Sequence, residues 1–266
     1  MIGIIFFILG LIVGSFLNVV VYRLKVAEGL VFGGSKCPKC KAKIRWYDNI
    51  PLLSFVLLGF KCRDCQEKIS WQYPLVEFFG GVLFFLVGYY FFSLTDLSTW
   101  LATFYYLAIV SIFLVIFVYD LLYMEIPLIL IWIGIGLAVV FNLLFDLNNG
   151  LFGGFLLEAK SIAGLVAAFL AWTFFFSLAY GSKEKLMGLG DSYLAILIGL
   201  VLGLSGTFYA LVIGFFTGAV LGIILVFSRK KKMKSQLPLA PFLVLGSLIM
   251  IFWGDQLIAW YLGLFF

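Results

Sequence analysis

Histidine is absent from this chain of 266 residues. That excludes Ser-His-Asp and Cys-His catalysis, histidine-ligated metals and zinc proteases of the HExxH kind. Charge is scarce as well, at 12% of residues, while 64% are hydrophobic. A soluble domain needs far more polar surface than this, so the bilayer must be the solvent for most of the chain. The length then allows about eight crossings at roughly 20 residues each. No basic n-region and no small-x-small cleavage site precede Arg23, so the apolar stretch 1–21 is read as a retained membrane helix, not a removed signal peptide.

Apolar stretches of spanning length run over 2–21, 74–94, 100–119, 127–145, 161–181, 192–205, 207–227 and 238–264. The sixth is short and glycine-rich, and its boundary with the seventh is set at Leu204–Gly206, which leaves a seven-crossing alternative open. The pattern predicts an all-α polytopic membrane protein. A first helix (1–21) is followed by a polar insertion (22–73) and a polytopic membrane domain (74–266). The insertion carries ten of the eighteen basic residues and all four cysteines. With eight crossings and the insertion in the cytoplasm, seventeen of the eighteen basic residues lie inside and only Lys160 lies outside. Asp96, Asp146, Glu158 and Asp255 fall on the outer side, as do both termini. This is the asymmetry of the positive-inside rule. The net charge of +5 therefore needs no nucleic acid: Arg229–Lys232 directly follows an apolar span and reads as a topology anchor that also favours anionic lipid.

Acids at bilayer depth are costly and mark function. Asp120 ends the third span in VIFVYDLLYMEIP, and Asp191 opens the sixth in MGLGDSYLAIL. Those two helices run antiparallel, so both acids belong at the same cytoplasmic boundary. Gly188 and Gly190 just before Asp191 suggest unusual backbone or close approach there, and Pro127 suits the first turn of the next helix. Two carboxyls within hydrogen-bonding distance would share a proton. One could then act as general base on water while the other polarises a scissile carbonyl. The same acids could also be two independent interfacial groups that snorkel to water. Glu77 is a third acid, read as interfacial or as a grip on a polar substrate group, and Glu125 is read as loop or cap chemistry.

Cys37-Pro-Lys-Cys40 and Cys62-Arg-Asp-Cys65 form CxxC-x21-CxxC, close to the spacing of a structural four-cysteine zinc site. In a reducing cytoplasm a structural disulfide is rare, and redox thiols are the main competing reading.

Across nearly its whole length the sequence resembles the bacterial type IV prepilin peptidases, also called leader peptidase/N-methyltransferases. The resemblance rests on GSFLNVVVYRL at 14–24, CPKC, WYDNIPLLSFVLLGFKCRDC, ISWQYPLVEFFGG, Asp120 seven residues before Pro127, GLGD at 188–191 and PLAPFLVLG at 238–246. It implies a GxGD-type aspartyl peptidase in the bacterial inner membrane, with Asp120 and Asp191 as catalysts. Pilin-like precursors would be cleaved at the cytoplasmic face and methylated at the new N-terminus with S-adenosylmethionine. Leu122, Leu128 and Ser192-Tyr193 stand where the family often carries acids or a lysine. No glycine-rich nucleotide fingerprint places the methyl donor on particular residues. Two alternatives remain from the residues: a transporter or scaffold that binds ions at the paired acids and docks a partner through the zinc knuckle, and a GxGD protease of the presenilin type.

Overall fold

The computed structural model describes residues 2–26, 35–94, 97–148, 159–184, 187–228 and 237–263. Lys185, Arg229–Lys232, Lys234, Asp96 and Glu158, used above to argue orientation, lie outside them. The regular secondary structure of the described residues is helical apart from two isolated bridges. Helix α1 covers Ile2–Val26, a 3-10 turn covers Trp46–Asn49, and α2 covers Leu53–Leu57. Then follow α3 (Gln72–Phe91), α4 (Leu97–Tyr123), α5 (Leu128–Asn148), α6 (Lys160–Gly181), α7 (Leu189–Phe227) and α8 (Ala240–Leu262). All but α2 are long and apolar enough to cross a membrane, which makes seven such helices among the described residues. The chain divides into two compact units, Met1–Val118 and Tyr119–Phe266, and the division falls within α4.

In the first unit α1 and α3 pack antiparallel through glycine. A Cβ on Gly14 would lie 2.8 Å from the Glu77 Cα, and one on Gly80 would lie 2.8 Å from the Gly10 carbonyl oxygen. Small residues let two membrane helices approach backbone to backbone, where dispersion substitutes for the hydrophobic effect that lipid cannot supply. Asn18 ties the helix ends together by donating to the carbonyls of Gly14 (3.3 Å) and Tyr73 (3.1 Å).

In the second unit the register of contacts shows that α7 is not one rod. At 39 residues a straight helix would be about 58 Å long, nearly twice a hydrocarbon core of about 30 Å. Gly203 breaks it with φ 69° and ψ −171°. The first half runs parallel to α5: Gly190 lies against Ile126, Tyr193 against Trp132, and the Leu200 carbonyl accepts from Asn142. Helix α6 runs antiparallel to α5, because Asp146 meets Lys160 and Ser161 while Asn142 meets Gly164. Phe175 on α6 should therefore sit level with about residue 190, yet it stacks on Phe215. Only a chain that turns back at Gly203 brings residue 215 to that level. The seven helices thus supply eight apolar segments of crossing length or near it. The predicted break at Leu204–Gly206 falls one residue early in the structure, at Gly203, because that residue alone adopts the non-helical conformation. The returning half packs against α8, with Gly246 against the Ala210 carbonyl and Gly214 against Phe242.

Candidate active site and metal centre

Asp120 lies in the last turn of α4, one turn before Met124 ends the helix with φ 53°. Asp191 is the third residue of α7, after the extended N-cap Gly188. Both are buried, at 5% and 8% exposure, and Asp191 lies within Coulombic reach of Asp120. Each carboxyl is also held by the N-terminus of a helix. Asp191 reaches back to the backbone N–H of Gly188, the acid half of a capping box. Asp120 accepts from the backbone N–H of Ala240, the first residue of α8. That N–H has no partner within its own helix, because the first turn of any helix leaves four donors over. Ala240 was invisible to side-chain reasoning. The proline at 241, which marks a helix start, was the one available signal.

Of the two expected uses of the glycines, only close approach is found, and only at Gly190. Neither Gly188 nor Gly190 has positive φ. Gly190 serves close approach, since a Cβ there would lie 3.2 Å from the Ile126 side chain, whereas one on Gly188 would meet only a backbone nitrogen at 3.9 Å. Pro127 directly precedes α5.

Glu77 is a buried anchor in the first unit. Its Oε2 accepts the backbone N–H of Leu52 at 2.8 Å, and the Ser15 hydroxyl donates to the same carboxylate. Leu52 is the N-cap of α2 and has φ 59°, so the acid from α3 caps a short helix of the polar insertion. Asp146, expected on the outer side, is buried and caps α6 by accepting from Lys160 N–H (2.9 Å) and Ser161 N–H (2.8 Å).

The four cysteines meet. Their sulfurs all lie within 4.8 Å of one another, with Cys37 Sγ 3.9 Å from Cys65 Sγ. Four thiolates at about 2.3 Å from a tetrahedral ion would be about 3.8 Å apart, so the cluster can hold a metal ion. Each pair sits in a knuckle of the same construction. Cys37 N–H donates to Ala42 and Lys41 N–H to Cys37; Cys62 N–H donates to Glu67 and Gln66 N–H to Cys62. Lys41 and Gln66 carry the positive φ, and the bridges Lys36–Lys43 and Lys61–Lys68 close the two loops. The knuckles are a repeat with a 25-residue shift, SKCPKCKAKIRW and FKCRDCQEKISW, which the cysteine spacing alone did not disclose. Burial raises the Cys37 thiol, but donation from the backbone N–H groups of Cys40 and Lys39 outweighs it and brings Cys37 down to about 7. Against a stabilising N–H from Glu67, burial and the other thiols drive Cys65 up to about 12. A cation bound among the four sulfurs would hold all of them as thiolates.

Fold and site together define a polytopic helical membrane protein with a buried carboxyl pair and a small four-cysteine module. Residues 8–91 match the bacterial peptidase A24 N-terminal domain, and residues 107–223 match the type IV leader peptidase family. A prepilin leader peptidase/N-methyltransferase of Legionella pneumophila is 32% identical over 95% of this chain and 92% of its own length. Proteins of the same name from Pseudomonas aeruginosa (31%; 96% and 91%) and Aeromonas hydrophila (30%; 96% and 92%) are similar to it as well. The chain belongs to the type IV leader peptidase family. No solved structure matches it significantly.

Proposed function

We propose that this protein removes the leader peptide of type IV prepilins and pilin-like precursors at the cytoplasmic face of the bacterial inner membrane, and then N-methylates the new terminal residue. The observation that supports this best is the pair of buried carboxyls, Asp120 and Asp191, brought into Coulombic reach from separate helices. Buried acids so placed hold one proton between them, since two like charges out of water repel. The ionised member removes a proton from water, whose oxygen attacks the scissile carbonyl carbon. The protonated member donates to the carbonyl oxygen as negative charge develops there. When the C–N bond breaks, the proton taken from water passes to the leaving amine. The backbone N–H groups of Gly188 and Ala240 hold the two carboxyls in place and leave their remaining oxygens for water and substrate.

Cytoplasmic sidedness is supported by the charge count, seventeen of eighteen basic residues on the side of both aspartates. It suits a substrate whose basic or polar leader stays in the cytoplasm. Lipid surrounds the spans, and nucleic acid has no part. The ion in the cysteine cluster is Zn²⁺, held by Cys37, Cys40, Cys62 and Cys65 in a closed structural site with no open position for chemistry. S-adenosylmethionine supplies an electrophilic methyl group to the amine that cleavage frees.

The test is incubation of purified protein with a pilin precursor, with and without S-adenosylmethionine, followed by mass spectrometry. Cleavage without the donor, and a gain of one methyl group with it, are expected. An intact precursor in both reactions overturns the peptidase reading.

A further inference from the structure

Helix α2 belongs to the polar insertion and is far too short to span, yet its outward face is apolar. Of its five residues Ser54 and Phe55 are buried. Leu53, Val56 and Leu57, which share one face at i, i+3 and i+4, are 61%, 63% and 82% exposed. An exposed apolar patch rimmed by polar residues marks an interaction surface. The exposed side chains continue beyond α2. The Phe55 ring lies 4.9 Å from Phe60 and 5.1 Å from Trp71, which stack on each other and are both exposed. Trp71 is the N-cap of α3, and its carbonyl accepts from Leu75 N–H at 3.2 Å. Leu75, Phe78 and Phe79 follow on the exposed side of α3, which lipid must cover because α3 is a spanning helix. Exposed apolar side chains thus run from a lipid-facing helix onto the insertion.

The height of α2 is fixed as well. Twenty residues make α3 about 30 Å long, the thickness of a hydrocarbon core. Glu77 stands five residues after Gln72, about 7 Å below the start of α3. Its carboxylate accepts the N–H of Leu52, the N-cap of α2, so α2 begins at that depth. A helix lying in a membrane surface buries its apolar face about 5–10 Å into the boundary between headgroups and acyl chains. Charge agrees with this placement. Residues 35–71 carry eight basic residues against three acids, Asp48, Asp64 and Glu67, a balance of +5, or +3 where four thiolates hold a divalent ion. Asp48 is already paired with Arg63. Lys61 and Lys68 face each other across an isolated bridge directly beside Phe60, and both are exposed. We infer that α2, Phe60 and Trp71 lie in the membrane surface, their apolar side chains among acyl chains and Lys61 and Lys68 among the headgroups of anionic lipid. The insertion is then held to the bilayer by its own surface, not only by the two helices that flank it. A second copy or another protein could cover an apolar face, but neither accounts for the continuity with α3 or for the depth.

The experiment places a photoreactive diazirine side chain at position 57, and separately at position 75, in the full-length, metal-loaded protein. Each is reconstituted in nanodiscs of phosphatidylethanolamine and phosphatidylglycerol, illuminated and analysed by mass spectrometry. Position 57 should give phospholipid adducts within about threefold of the yield at position 75. Adducts to a second protein chain, or none at 57 where 75 gives them, overturn the assignment. A label at 75 that takes no lipid overturns the membrane reading of α3 itself. Hydrogen exchange supplies a second readout. Leu57 is largely exposed, so Leu57→Asp removes no internal packing; it should keep its metal and exchange at least tenfold faster over residues 53–60 than wild type in the same discs. Equal rates overturn the assignment. In wild type the same amides should exchange at least threefold faster in discs of phosphatidylcholine alone, and an unchanged rate overturns the part given to Lys61 and Lys68.

Discussion

Ala240 contributes to the carboxyl pair through its backbone N–H, and Gly188 does the same, so two of the four groups that make up this cluster have no side-chain signature. The aspartates themselves do. Asp120→Asn or Asp191→Asn keeps the shape and removes the base, and each should lower precursor cleavage by at least ~100-fold, measured by gel or mass spectrometry, with insertion unchanged. Replacing Cys37 or Cys62 with serine should lower zinc per chain, measured by atomic emission, because a thiolate is lost from a four-ligand set. Asp48 adds a pH dependence. Arg63 grips it through two hydrogen bonds, at 2.6 and 2.9 Å, and holds its carboxyl below the ordinary carboxylate range. A folded-state pKa below the unfolded one means that this contribution is fully present above about pH 4 and is lost as pH falls through the folded value. The salt bridge is exposed, so Asp48→Asn should flatten the acid limb of the module's unfolding only slightly, followed by Trp46 and Trp71 fluorescence.

For the helices, glycine decides how close neighbours come. A Cβ on Gly199 would run into the backbone of Ala167 and Ala168, so Gly199→Ala must push α6 and α7 apart. Overpacking of this kind costs about 1–3 kcal/mol. Gly136 on α5 has nothing within 4 Å of a built Cβ, and its alanine variant should be neutral. Thermal unfolding in detergent checks the pair, and equal effects would count against this packing. Gly203 is different again: its φ of 69° with ψ near −171° belongs to a region essentially reserved for glycine. Gly203→Ala should cost about 1–3 kcal/mol and loosen the turn between the halves of α7.

At the scale of the whole molecule, the two units and a metal-held cysteine module would differ in stability. The cysteine module has little apolar core: Phe55, Phe60 and Trp71 cluster with ring centroids 4.9–5.8 Å apart, but only Phe55 is buried, so a metal held by the four cysteines would supply much of its order. Chelation should melt residues 35–70 in hydrogen exchange while the helices of the second unit stay protected. Uniform loss of protection would show that the module is not a separate folding unit.

The apolar spans and the meeting of four cysteines were readable from composition and spacing, because the bilayer sets helix length and four ligands around one ion must lie close together. Asp120 and Asp191 were readable as a pair for a related reason: carboxyls are costly at bilayer depth, and topology puts both at one boundary. Other features depend on contacts between distant segments and had no local pattern. Glu77 as the cap of α2, Asp146 as the cap of α6 and the Ala240 N–H beside Asp120 are side chains or backbone groups that acquire a role only from the partner packing delivers. The turn at Gly203 sits between the two kinds: glycine marked the region, but only three-dimensional register showed that the helix returns there.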